Sequence, residues 1–206
     1  DSGALFSSRV AISFYTTLVP LVLGWVAGPV AFAHFNLADK LRTAAQALLT
    51  PVSQALFPRM SHLVATDGNA AFQLVKRSAA VILALAGSAS MTLWILAEWL
   101  VVLLGGEEFR DAAAVLRWFA PLPLVIGLSN LFGIQIMLPN RMNRSFNGIL
   151  IVAAIVSLIL IWPMVSANLA TGAAQTMLLV ELSVTASMSI LLWRRGYLSP
   201  RQWRSN

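Results

Sequence analysis

Asp39, Lys40, Arg42, Gln46, Thr50, Ser53 and Gln54 are the residues of this chain whose types and spacing could do chemistry. At about 100° per residue, Asn36, Asp39, Arg42, Thr43, Gln46, Thr50, Ser53 and Gln54 fall within roughly 120° of one another, with Lys40 at the edge of the stripe, while Leu37, Leu41, Ala45, Leu48, Leu49 and Leu56 fall elsewhere. Residues 36–59 therefore read as one helix that faces two solvents, polar along one side for its whole length. The chemistry on offer is charge and hydrogen bonding. Two readings follow: a face that lines a wet, substrate-holding cavity, or a helix packed inside a bundle with a satisfied Asp39/Arg42 pair at i, i+3.

Three more ionisable residues stand inside apolar stretches. Glu181 lies near the middle of the last one, where an ionised side chain is least tolerated, and an intramembrane carboxylate is by default a functional candidate. It suits either the coupling of a proton or sodium ion to movement or a hydrogen-bonded structural role. Glu98 and Arg117 lie one to two turns from an acidic connection, close enough to extend their charged ends to the membrane surface.

These side chains must be positioned by membrane-spanning helices. Of 206 residues, 58% are hydrophobic and 11% charged, and the mean hydropathy is +0.78, against about 45–50% and 25% in soluble domains. The chain reads as an integral membrane protein, all-α and polytopic, forming a single membrane domain over 1–206. A charged face at the centre of a bilayer costs about 2.5–3.5 kcal/mol per residue, so the polar stripe must look into a bundle or cavity. Apolar stretches long enough to cross about 30 Å of hydrocarbon recur at 10–30, 30–59, 78–104, 112–138, 146–166 and 170–193. The first two meet at a tight Gly28-Pro29 turn. Gly24 and Gly28 have the small-residue spacing that lets helices approach closely, and Pro20, Pro51, Pro121, Pro123 and Pro163 favour kinks.

Lys and Arg are enriched in short cytoplasmic connections. Arg9, Arg59, Lys76, Arg77, Arg141, Arg144, Arg194, Arg195, Arg201 and Arg204 all fall on one side of the alternating stretches. The other side has the uncharged Gly28-Pro29 turn, the acidic loop around Glu107 and the uncharged connection near Asn168. Both ends are thus expected in the cytoplasm. The tail 194–206 combines arginines with Tyr197 and Trp203, suiting a basic juxtamembrane anchor against anionic lipid. An opening D-S-G-A-L, with no Met and no signal-peptide pattern, leads us to expect a piece of a longer chain.

Several classes are disfavoured. The net charge of +6 lies in the connections without interleaved stacking aromatics, which argues against nucleic acid. Zero cysteines and two distant histidines, His34 and His62, leave no thiolate or His-based metal site. No phosphate-cradling glycine loop, G-x-S-x-G or H-E-x-x-H occurs, so enzymatic chemistry is not expected.

Short motifs carry a resemblance. They are A-D-K-L-R (Ala38 to Arg42), A-L-F-P-R-M-S (Ala55 to Ser61), G-G-E-E-F-R-D-A-A (Gly105 to Ala113), N-L-F-G-I-Q (Asn130 to Gln135) and P-N-R (Pro139 to Arg141). In this order and spacing they resemble the polysaccharide flippases of the multidrug/oligosaccharidyl-lipid/polysaccharide exporter superfamily, from the seventh to the twelfth helix of an O-antigen or exopolysaccharide repeat-unit flippase. The resemblance implies six transmembrane helices forming the C-terminal lobe of a twelve-helix transporter, with an N-terminal six-helix lobe as partner. It also implies an undecaprenyl-pyrophosphate-linked oligosaccharide as cargo, moved from the cytoplasmic to the periplasmic leaflet of the bacterial inner membrane, beside the polymerase and ligase of polysaccharide assembly.

On that reading Arg42 and Lys40 offset the diphosphate's lost hydration, and Asp39 orients Arg42. Gln46, Thr50, Ser53 and Gln54 meet sugar hydroxyls, while Glu181 couples H+ or Na+, with no cofactor. A cation-coupled multidrug exporter of the same superfamily is the alternative, disfavoured because a cavity of Arg and Lys repels cationic drugs. A non-transporting scaffold of a polysaccharide synthesis complex is another, but it has no use for a polar stripe.

Overall fold

The computed structural model describes residues 2–199 and 203, with side chains from Val19 onward except Val52. Its regular structure is helical: α1 (Ser2–Ala47), α2 (Thr50–Thr66), α3 (Gly68–Ile95), α4 (Ala97–Gly105), α5 (Ala112–Phe119), α6 (Leu122–Asn130), a π-helical continuation (Leu131–Met137) and α7 (Asn143–Arg194). Four stretches are long and apolar enough to cross a membrane: Val19–Ala47, Gly68–Ile95, Ala112–Met137 and Asn143–Arg194. The protein is a polytopic, all-α membrane protein.

Two of these helices reverse direction. Gly28 has φ 80° and ψ 179°, a conformation that glycine alone adopts without strain, and Pro29 opens the second arm where its missing N–H costs nothing. A Cβ on Gly24 would touch the Phe32 ring at 3.6 Å, although eight residues of straight helix would separate them by about 12 Å. Gly28 therefore serves the turn, and of the glycine pair only Gly24 faces a helix. Within the 52 residues of α7, Leu169 takes φ 50° and ψ −127°. There the chain folds back so tightly that a Cβ on Gly172 would fall on the Met164 backbone carbonyl. Each helix thus has two arms, consistent with the six expected stretches.

The expectation of one continuous helix over 36–59 is corrected. α1 ends at Ala47, a turn at Leu48 and Leu49 follows, and Pro51 sits in the first turn of α2. Pro51 cannot donate to the Ala47 carbonyl and its ring crowds that oxygen, so the break falls where the proline puts it. Pro123 stands in the same relation to Phe119, the last residue of α5.

The buried side chains form two main cores stacked along the bundle. One gathers Leu23, Phe35, Val101, Leu116, Phe119 and Val165 beneath the Gly28 and Leu169 reversals. The other gathers Met60, Val75, Met137, Phe146, Val184 and Leu192 beside the basic connections. His34 meets Phe109 edge-on at 5.5 Å, which places the acidic connection at the Gly28 end. Trp203 is 4% exposed and packs on Phe72 and Tyr197, its indole N–H donating to the Tyr197 carbonyl at 2.9 Å. That tryptophan docks on protein. The remaining tail positions, 200–202 and 204–206, lie outside the described residues. Arg77, Arg144 and Glu107 are all exposed. Cysteines engineered at 77 and 144 should label from the cytoplasm and one at 107 from the opposite side; labelling of position 107 from the cytoplasm alone would reverse this topology.

Candidate functional site

Between the two cores lies a cavity of about 420 Å³. The second arm of α1 presents Arg42, Thr43 and Gln46 to it, α2 Thr50, α6 Ser129 and Asn130, and the second arm of α7 Glu181. Its apolar wall comes from Ile126, Ile134, Phe146, Leu150, Val184 and Met188. Arg42 and Glu181, far apart in sequence, therefore border one space.

Arg42 is held from several directions. Its Nε donates to Asp39 Oδ1 at 2.8 Å, and its Nη2 lies 2.6 Å from the same oxygen. Nη1 donates to Gln46 Oε1 and Nη2 to Thr43 Oγ1, each at 3.0 Å. The Phe119 ring lies 5.7 Å from Cζ, within the range of cation–π attraction. With its side chain 13% exposed and Asp39's 33%, the guanidinium is a fixed planar fork at the cavity wall. Such a fork suits bidentate contact with phosphate oxygens better than an ammonium does. Amide, hydroxyl and carboxylate groups around the same space supply donors and acceptors for hydroxyl-rich ligands.

Residues 1–64 match the polysaccharide biosynthesis protein family. Over 188 residues the chain is 37% identical to an Escherichia coli K12 protein named as an O-antigen transporter, covering 91% of this chain and 45% of that relative. Over 189 residues it is 32% identical to a Shigella dysenteriae protein of the same name, covering 91% and 47%. The chain spans about half the length of the curated relatives it matches. Both are named for transport, which is not an enzymatic activity. No solved structure matches it.

Not every residue of the polar stripe reaches the cavity. Lys40 is exposed and does not line it, being about 100° from Asp39 and 160° from Arg42 around the helix. Ser53 is half-buried and Gln54 exposed, neither bordering the cavity, because the Leu48–Leu49 turn changes the course of the chain between Gln46 and α2. Thr43, Ser129 and Asn130 do border it. A Ser-Asn pair inside the apolar stretch 112–138 was the available signal.

Glu98 and Arg117 stand far from this cavity, at the acidic end. Glu98 pairs with Arg110 at 3.7 Å and with Arg117 at 3.9 Å, and Arg110 with Glu107 at 2.8 Å, all four side chains being about half exposed or more. Pairs this open contribute about 0–1 kcal/mol each. In the π-helical segment, Gln135 is fully buried, and neither side-chain amide atom has a hydrogen bond among the described residues. π-Helical turns recur at functional sites; the N-L-F-G-I-Q motif overlaps this one without signalling its π-helical geometry.

Proposed function

We propose that the full-length protein moves a lipid-linked oligosaccharide, bearing a diphosphate on an undecaprenyl carrier, from the cytoplasmic to the periplasmic leaflet of the bacterial inner membrane. The carrying observation is the single cavity that sets the Arg42 fork, hydroxyl and amide groups and Glu181 together inside an otherwise apolar bundle. A diphosphate lowered into a low-dielectric space needs a compensating cation, and Arg42 supplies one already fixed in orientation. The sugars need donors and acceptors, which Gln46, Thr50, Ser129 and Asn130 supply. A second six-helix lobe would complete the cavity. The match of residues 1–64 to the polysaccharide biosynthesis protein family and the similarity to relatives named for O-antigen transport support this reading over drug export. Cells that lack the protein should keep their lipid-linked oligosaccharide on the cytoplasmic leaflet and lose surface polysaccharide. Unchanged surface polysaccharide would contradict the proposal.

Glu181 is the proposed coupling group, its carboxylate exchanging H+ or Na+ as the lobes move. Glu181→Gln keeps shape and hydrogen bonding but cannot ionise. It should slow transport several-fold and remove its dependence on an imposed ion gradient. An unchanged gradient dependence, with Glu181→Leu destabilising the protein, would make Glu181 a structural hydrogen-bonding group and move attention to Asp39.

A further inference from the structure

The back of the α7 hairpin carries a groove that the proposed translocation does not use. Two adjoining hollows of about 380 and 340 Å³ share Ser145, Ile149 and Ser187; one reaches inward to Val156, and the other ends at Arg194. At about 1.5 Å per residue the stretch from Ser145 to Val156 rises roughly 16 Å, close to half of a hydrocarbon core about 30 Å thick. The groove is therefore one leaflet deep.

Its origin lies in the side chains between the arms. Ser145, Gly148, Ser183 and Ser187 are too short to fill the gap, and at Gly148 a Cβ would meet nothing within 4 Å. On the first arm the groove residues centre roughly 110° from the cavity-lining Phe146 and Leu150, at about 100° per residue, and on the second arm Val184 borders both the groove and the cavity. Val152 and Ile190 on its walls and Ile155 and Trp193 beside it are exposed apolar side chains, a surface suited to hydrocarbon. Arg194, exposed at the mouth, puts a guanidinium at the end where the basic connections gather.

We propose that this groove binds an anionic glycerophospholipid of the leaflet at the basic end, its phosphate on Arg194 and one acyl chain along Gly148 to Val156. Charge complementarity selects the headgroup, and the one-leaflet depth suits an acyl chain. The carrier of the oligosaccharide is the less fitting occupant, because its headgroup belongs in the cavity on the neighbouring face. The site rests on the membrane fold and not on the identity of the cargo.

The test is native mass spectrometry of the full-length protein with phosphatidylglycerol or phosphatidylcholine added. Wild type should retain phosphatidylglycerol preferentially, and Arg194→Gln should weaken that retention about tenfold, since charge-assisted contacts to phosphate are the strong ones. Gly148→Leu should abolish it while keeping or raising the melting temperature, because leucine is the better helix former and its Cβ meets nothing within 4 Å. Ser187→Leu, on the facing arm, repeats the test should the first variant misfold. Equal retention of the two lipids, wild-type retention by a folded groove-filling variant, or displacement of phosphatidylglycerol by a polyprenyl diphosphate would each overturn the proposal.

Discussion

Arg42→Ala in the full-length protein should abolish polysaccharide export while leaving protein level and membrane insertion intact. The loss is specific because the guanidinium is fixed at the cavity wall by Asp39, Gln46 and Thr43 and lies over Phe119. Hydrogen bonds to charged groups contribute about 1.5–3 kcal/mol each, so losing a bidentate pair to a diphosphate would cost about two to four orders of magnitude in affinity. The fold should tolerate the change. Asp39, with a third of its side chain exposed, can take water in place of its partner. Arg42→Lys keeps the charge but loses the planar fork, so partial export is expected. Asp39→Asn keeps the guanidinium but weakens its orientation and should fall between the two. Export is read as surface polysaccharide per unit of inserted protein, and wild-type export by Arg42→Ala would remove the anion-site role.

The second large effect is structural. Gly172→Ala places a Cβ on the Met164 carbonyl, and a backbone atom cannot rotate aside as the tip of a side chain can. Overpacking against side chains already costs about 1–3 kcal/mol; this clash should cost about 3 kcal/mol or more, with the hairpin forced apart below Leu169. A lower melting temperature of the purified full-length protein and reduced abundance would register it. Gly148→Ala is the control from the same helix, in open space, expected to be neutral or to stabilise by up to about 1 kcal/mol. Equal melting temperatures for the two variants would contradict the close approach of Gly172 to the Met164 carbonyl.

The helical membrane architecture was legible in the sequence because the apolar stretches exceed what any soluble helix needs, and the Gly28-Pro29 turn followed from the backbone freedom of one residue and the missing donor of the next. Leu169 was harder. Its left-handed φ belongs to a residue type that seldom adopts it, and only the uncharged connection around it marked the reversal. The polar stripe was legible as a helical period, but period alone assumes a continuous helix. Pro51 breaks that continuity and takes Ser53 and Gln54 off the cavity. The meeting of Arg42 with Glu181 and Ser129 is tertiary, and no local pattern encodes which helices face one another. Trp203 shows the same limit: aromatic and basic neighbours suited a lipid anchor, yet Phe72 and Tyr197 offered a buried seat.

The most direct measurement is translocation by the purified full-length protein in sealed vesicles, with a diphosphate-linked polyprenyl oligosaccharide on one leaflet and a sugar-modifying probe outside. Wild-type vesicles should expose the sugar to the probe several-fold faster than protein-free vesicles, and Arg42→Ala vesicles no faster than the protein-free control. Wild-type protein that is folded and inserted yet moves the lipid no faster than bare vesicles, or Arg42→Ala that matches wild type, would contradict the account.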